Sequence, residues 1–262
     1  MKRYFYFYLA LIRINGNTFI AYRGNFLNSV LSSFVWGIFS IVSILLLTSK
    51  TSSLFGWSRN EIIMLTAFHA VVMGIFHMIF SRNFEYFSRI IDLGQLDSFL
   101  LKPIDSQFFL STRYINYASI IRIAMGVLLI AYLLKRIPFP ITPLHVLLSI
   151  LFMICGILLL YAIWYILITV TIWANRLSNM VEVLYTISGI MRFPGEMYKE
   201  LSFYLFLFLF PLTLVLATPL KFLLGRFDGI SGVIMIIFTG ALFFISRRWW
   251  KFALKHYISA SS

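Results

Sequence analysis

Residues 90–103, Ile90-Ile91-Asp92-Leu93-Gly94-Gln95-Leu96-Asp97-Ser98-Phe99-Leu100-Leu101-Lys102-Pro103, interrupt an otherwise greasy chain between its second and third long apolar segments. Apolar residues recur there at roughly helical spacing, beginning with Phe87, while Asp92, Asp97 and Ser98 stay polar and Lys102-Pro103 supplies a stop. The spacing predicts a short surface helix. Two uses of it stay open on physical grounds alone: an interfacial helix resting on lipid headgroups, or a compact segment against which a soluble partner pushes.

The surroundings of that stretch define the class of protein. Of 262 residues, 61% are hydrophobic and 12% charged, about half the charged share of a soluble globular chain. A helical bilayer crossing takes roughly 20 apolar residues, so the chain has room for about six or seven crossings and for no separate soluble domain. The formal charge of +13 does not mark a nucleic-acid binder. Lys and Arg cluster at the edges of apolar runs, as topology signals and headgroup contacts do, instead of along one solvated surface.

Apolar spans are expected over Phe26–Leu47, Ile62–Phe80, Ile115–Leu134 and Leu144–Trp173, with Pro138 and Pro140 dividing the last two. The fourth exceeds the bilayer thickness and is expected to tilt or project. The C-terminal third offers Leu177–Met191, Leu201–Leu220 broken by Pro211 and Pro219, and Val233–Ile245. Counting all three gives seven crossings and puts the termini on opposite sides. Charge decides against that count. Lys2, Arg3, Arg13 and Arg23, then Arg82, Arg89, Lys102 and Arg113, then Arg247, Arg248, Lys251 and Lys255 all fall inside if there are six, against Lys50, Arg59, Lys135 and Arg136 outside. Either Leu177–Met191 is the fifth span and the Pro-containing stretch dips in and returns, which is preferred, or Pro211 lies in the fifth span.

Residues 1–25 suit an interfacial helix, with Tyr4, Phe5, Tyr8, Leu11 and Ile12 entering lipid while Arg13, Asn17 and Arg23 stay hydrated. Met1-Lys2-Arg3 imitates a signal peptide, but Arg13 shortens the apolar core, and the segment is expected to be retained. Trp57, Trp173, Trp249 and Trp250 fall near span ends, where an aromatic belt belongs.

Residues suited to chemistry are sparse. A phosphate loop needs glycines before Lys-Ser or Lys-Thr, and Lys50-Thr51 lacks them. His69 and His77 stand eight positions apart, roughly 80° around a helix, so they cannot chelate one metal alone. Nine acidic residues serve the chain and form no paired-carboxylate site. Cys155 sits in an apolar run as a small hydrophobe, and no disulfide within the chain is available. Arg122 and Glu182 have two readings: a polar translocation path, or helix-end charges, with Arg176 pairing Glu182. A proton-driven carrier would place carboxylates or histidines deep in its spans, and only the two histidines qualify.

Gly94-x-Leu96-Asp97-x-x-Leu100-Leu101-Lys102-Pro103 resembles the signature loop of ABC-2 type transporter permeases, in particular the six-span bacterial exporters. Arg192-Phe193-Pro194-x-x-Met197-Tyr198, with Phe210-Pro211 and Ala217-Thr218-Pro219-x-x-x-Leu223-Leu224-Gly225, resembles that subfamily's region before the last span. The resemblance implies an all-α integral membrane domain over 1–262 with six transmembrane helices. It places an elbow helix in 1–25, a cytoplasmic coupling helix in the linker 82–113, and an outer re-entrant hairpin in 198–226 that includes Pro194, Tyr198, Pro211 and Pro219 in its neighbourhood. It further implies a bacterial inner-membrane location with both termini cytoplasmic, and a second permease subunit, identical or different. Gly94, Leu96, Asp97, Phe99, Leu100, Leu101, Lys102 and Pro103 would contact a separate ATPase, with Leu96, Phe99 and Leu100 as docking knobs. ATP and Mg would bind in that partner, and this chain would hold no cofactor. An ion-coupled secondary transporter and, behind it, a membrane-embedded lipid-modifying enzyme remain as other readings.

Overall fold

The computed structural model describes residues 2–49, 53–136, 140–173, 179–198 and 203–257. Lys50, Pro138, Arg176, Leu177 and Leu201, which entered the expectations above, lie outside them. Apart from one two-strand hairpin, the regular secondary structure of the described residues is helical. A chain this apolar has no water to satisfy its backbone, so N–H and C=O groups must pair within each segment.

Helix α1 (Lys2–Ala21) meets α2 (Arg23–Leu47) at Tyr22. A hairpin follows, with β1 (Ser53–Leu54) antiparallel to β2 (Trp57–Ser58), and its Phe55-Gly56 turn takes positive φ. Ser58 caps α3 (Arg59–Phe76) in a capping box with Glu61. The helix runs through a π-turn (His77–Ser81) directly into α4 (Arg82–Asp92). Short helices α5 (Leu96–Leu100) and α6 (Ser106–Thr112) precede α7 (Ser119–Leu134) and α8 (Pro143–Thr169), which ends in a 3-10 turn, Val170–Ile172. Then come α9 (Met180–Gly189), 3-10 turns at Ile190–Arg192 and Gly195–Tyr198, α10 (Phe203–Leu223) and α11 (Gly229–Lys255).

Among the described residues, four stretches are long and apolar enough to cross a membrane: Arg23–Leu47, Arg59–Ile91, Pro143–Ile172 and Gly229–Lys255. Ser119–Leu134 and Leu209–Leu223 are shorter apolar helices. The second stretch outruns its expected end at Phe80. Arg82, Glu85 and Arg89 lower the hydropathy, but Phe84, Phe87, Ile90 and Ile91 fall on one face and are buried, so the helix carries on as an amphipathic extension. The linker 82–113 is therefore mostly helix. The stretch Leu201–Leu220 also differs from the expected break: Pro211 and Pro219 both lie inside the single helix α10.

Close packing needs small residues. A Cβ on Gly126 would stand 2.7 Å from Val71 Cγ2 and 2.9 Å from the Ala67 carbonyl, and one on Gly74 would stand 2.6 Å from Ile123 Cγ1. These two glycines let α3 and α7 lie against each other, as small residues do between membrane helices. Gly156 does the same for α8 and α10, 2.8 Å from the Val215 carbonyl. Where α3–α4, α8 and α11 converge, Phe76, Phe84, Phe87, Trp164, Tyr165 and Trp250 are almost wholly buried. Trp57 and Trp250 thus belong to the interior, not to the aromatic belt expected of them. Their indole N–H groups donate to Glu196 Oε2 (3.1 Å) and Ser106 Oγ (3.0 Å).

Gly126→Val should cost about 1–3 kcal/mol through overpacking against backbone that cannot move aside, lowering the melting temperature of the purified chain in detergent. Gly240→Ala, with nothing within 4 Å of the added Cβ, should leave it unchanged.

Candidate functional site

The turn after α4 is built by Gly94. Its φ of +63° admits the left-handed conformation, and the Gly94 and Gln95 N–H groups donate to the carbonyls of Ile91 (3.0 Å) and Ile90 (2.9 Å), a Schellman ending. That reversal starts α5. Leu96 is fully buried and Phe99 is 5% exposed, whereas Leu101 is 85% exposed. Two of the expected docking knobs are therefore inside this chain's own core: helix α5 lies flat on α6, and its apolar face is used there. Leu100 is half-buried, Asp97 partly covered, and Lys102 and Pro103 exposed. The outward surface consists of Leu93, Gln95, Ser98, Leu101, Lys102 and Pro103. A hollow of about 560 Å3 beside it is lined by Arg89, Gln95, Ser98, Lys102 and Arg113, among others.

Two cations flank the Phe99–Phe109 ring pair. Lys102 Nζ stands 4.6 Å from the Phe109 centroid, and the Arg113 guanidinium 5.1 Å from Phe99 and 5.0 Å from Tyr114, within cation–π range. Arg113 begins a non-helical stretch whose backbone would be orphaned but for two asparagines. From α4, Asn83 Nδ2 donates to the Tyr114 carbonyl (2.9 Å) and Asn83 Oδ1 accepts the Tyr114 N–H (2.8 Å). From α1, Asn15 Nδ2 donates to the Arg113 carbonyl (2.9 Å), and its Oδ1 accepts from Ile115 N–H (3.4 Å). The π-turn completes the join, its Met78 carbonyl accepting the Asn116 N–H at 2.9 Å. Sequence reading missed Asn15 and Asn83; the available signal was a carboxamide within an amphipathic apolar segment.

Helix α6 fastens the same platform to distant helices. Asp105 caps it, accepting from Phe108 N–H at 3.0 Å, and pairs with both terminal nitrogens of Arg247 on α11. Arg247 also reaches Gln107 Oε1 at 3.1 Å. Gln107 and Ser111 meet the Tyr161 hydroxyl of α8 at 3.2 and 3.0 Å. Burial acts to raise the Asp105 carboxyl pKa, but the hydrogen bonds from Arg247 and Phe108 outweigh it and hold the group below its ordinary value.

The other expected site residues lie elsewhere. Arg122 lies near the start of α7, and Arg192, after α9, reaches His69, which accepts from its Nε–H at 3.5 Å. Glu182 is exposed on α9. His77 stacks on Tyr185, centroids 5.1 Å apart, and Tyr185 O–H donates to Glu85 Oε1 at 2.9 Å. Pro194 and Tyr198 bracket the turn before α10, where the Tyr198 hydroxyl donates to the Ile190 carbonyl at 2.9 Å. Glu196 there pairs with Lys221 at 3.3 Å, and Arg226 pairs with Glu61 at 2.5 Å.

A helical bundle with several membrane-length apolar helices is a multi-pass membrane protein. Residues 34–261 match the model of the ABC-2 family transporter proteins. The chain belongs to that family, whose members are permeases of ABC-type transporters. No curated protein and no solved structure matches it.

Asn83→Ala would orphan both Tyr114 backbone groups, each worth about 1–3 kcal/mol when buried and unpaired. We expect loss of amide protection across 113–116 in hydrogen exchange, while α8 amides stay protected. The Asp105 tie has a defined pH window. Because its carboxyl pKa is depressed, its contribution is intact above the ordinary carboxylate value and is lost as pH falls through the lower folded value. Amide protection of α6 should hold between about pH 8 and 5 and fall only below about pH 4; in Asp105→Asn it should be reduced at every pH.

Proposed function

We propose that this chain is the transmembrane permease subunit of an ATP-binding cassette exporter, forming half of a translocation path and receiving the work of ATP hydrolysis through residues 93–103. The observation that carries the proposal is the build of the platform. An outward surface of Leu93, Gln95, Ser98, Leu101 and Lys102 sits on α5, whose inner face is locked to α6, and α6 is tied to α8 through Tyr161 and to α11 through Arg247 and Trp250. A push on that surface reaches two long helices through side-chain hydrogen bonds. ATP and Mg belong to the separate ATPase, and no bond chemistry is assigned to this chain.

The pairings support a count of six crossings. Glu61–Arg226, Trp57–Glu196 and Glu196–Lys221 gather at the hairpin end, and Asp105–Arg247 and Glu85–Tyr185 at the platform end. From Tyr185 beside Glu85, the chain passes Arg192 beside His69 and reaches Glu196 beside Trp57, a course that supports reading it as the fifth crossing. Helix α10 runs antiparallel to α8, with Phe222 on Phe152 and Val215 on Gly156. It ends near the hairpin again, so the region 198–226 dips and returns without changing parity. Both termini then share the platform side, which is cytoplasmic in this reading of a bacterial inner-membrane protein. Helix α1 is the elbow, its Tyr117–Ile12 (2.6 Å) and Asn15 bonds holding it to the platform. The exposed apolar faces of α2 meet lipid or a second permease subunit, identical or different.

Leu101→Glu alters a side chain that the fold does not use. Insertion and melting temperature should be unchanged, while the ATPase that co-purifies with wild type in mild detergent should be lost. Asp97→Lys should leave ATP hydrolysis uncoupled from transport. Full ATPase retention and normal transport by both variants would place the contact elsewhere, and transport without any ATPase would favour the ion-coupled carrier.

A further inference from the structure

The continuous helix α3–α4 fixes its own depth in a bilayer. None of residues 62–81 is Asp, Glu, Lys or Arg, and a run of that length spans about 30 Å, the thickness of the hydrocarbon core. Arg59 and Glu61 close the run at the hairpin end, Arg82 and Glu85 at the platform end. Arg82 and Glu85 therefore stand at headgroup depth. They are neighbours on one face of α4, yet they do not pair: among the described residues the ion pairs are Lys221–Glu196, Arg226–Glu61 and Arg247–Asp105. Glu85 instead accepts the Tyr185 O–H through Oε1 at 2.9 Å, which leaves its Oε2 as an acceptor.

A cleft of about 600 Å3 opens at that level, between the α1–α2 corner and the start of α4. Helices α1 and α2 contribute Leu11, Phe19 and Phe26 to its lining, while α4 and the junction after α6 contribute Arg82, Glu85 and Arg113. The two guanidiniums are brought to one ring: Arg82 Cζ lies 5.8 Å and Arg113 Cζ 5.0 Å from the Tyr114 centroid. Tyr114 is itself stacked on Tyr86 at 4.5 Å, and its backbone is held by Asn83, as the Arg113 carbonyl is by Asn15. The charges are thus presented on fixed backbone, which lowers the ordering cost of binding. Two planar forks suit a phosphodiester. A lipid that is only anionic would satisfy them but set a negative headgroup beside Glu85; one that also carries an ammonium group gives Glu85 Oε2 a donor.

We infer that the cleft binds a zwitterionic phospholipid of the platform-side leaflet, with Arg82 and Arg113 on its phosphodiester, Glu85 on a primary ammonium group, and acyl chain along Leu11, Phe19 and Phe26. The inference goes beyond the permease reading and needs only a multi-pass membrane protein. No ATPase enters its test.

The test titrates the full-length chain, delipidated in dodecyl maltoside, with dioleoyl phosphatidylethanolamine and follows the single-lipid adduct by native mass spectrometry. Phosphatidylglycerol and phosphatidylcholine with the same chains, and soluble glycerophosphoethanolamine, are the comparators. Phosphatidylethanolamine should bind tightest, since glycerol brings no charge to Glu85 and a quaternary ammonium brings no N–H. Arg82→Gln and Arg113→Gln should each weaken it about tenfold or more; Arg82 is exposed, so its variant serves if Arg113→Gln does not fold. Glu85→Gln should bring phosphatidylethanolamine level with phosphatidylglycerol, a change of preference that a merely loosened fold would not give. Arg248→Gln, at an exposed position on α11, should match wild type. Equal binding of phosphatidylglycerol or phosphatidylcholine by wild type, or wild-type affinity in the Arg82→Gln, Glu85→Gln double variant, overturns the inference even if an ATPase co-purifies. Glycerophosphoethanolamine binding as tightly as the lipid overturns the amphiphile. Binding with the expected preference in a preparation that never acquires an ATPase supports the lipid site and counts against the permease reading instead.

Discussion

One constraint governs how the described helices are joined inside the bundle: backbone polar groups without water must find partners inside the protein. The junction at 113–116 is where that constraint is most exposed. Four residues there leave helical geometry, and two asparagine carboxamides with the Met78 carbonyl take up their hydrogen bonds. Each carboxamide offers a donor and an acceptor with the same geometry as a peptide group, so Asn15 and Asn83 act as pieces of backbone supplied from neighbouring helices. The π-turn fits the same logic, since its loosened ladder frees a carbonyl for Asn116.

That junction determines what can move independently. Helix α1 and the α3–α4 helix both bond to these four residues, which follow α6 directly in the chain, so α1, α6 and α3–α4 are joined at one point. A second set of ties, through Tyr161, Arg247 and Trp250, holds α6 to α8 and α11. Among the described residues, the opposite end is held by Trp57–Glu196, Glu196–Lys221 and Glu61–Arg226.

The membrane class, the long helices and the polar stretch 90–103 were legible from composition and period, because lipid demands long apolar runs and Gly94 and Pro103 are strong punctuation. Boundaries were less so. Hydropathy ended the second span at Phe80, yet the helix continues to Asp92 because its polar residues occupy one side only. The third span was placed from Ile115, but 113–118 are held out of helix by partners that are distant in sequence, Asn15 and Asn83. The inward orientation of Leu96 and Phe99 was equally hidden, since a five-residue helix carries too little periodicity to say which neighbour covers its apolar face. Pro211 and Pro219 read as breaks, while α10 keeps them inside a helix packed along α8. Arg192, whose Nε–H donates to His69, was noticed only as part of a loop motif.

The central claim is that residues 93–103 are where the partner ATPase meets the membrane subunit. Its most direct test is cysteine crosslinking in membranes holding both subunits, with Cys155 replaced by Ser, comparing Leu101→Cys with Ile150→Cys, which is exposed on α8 far from the platform. The account predicts a short-linker adduct to the ATPase from position 101, changing in yield with nucleotide, and none from position 150. An ATPase that assembles with the chain yet gives no adduct from position 101, or equal adducts from both, would contradict it.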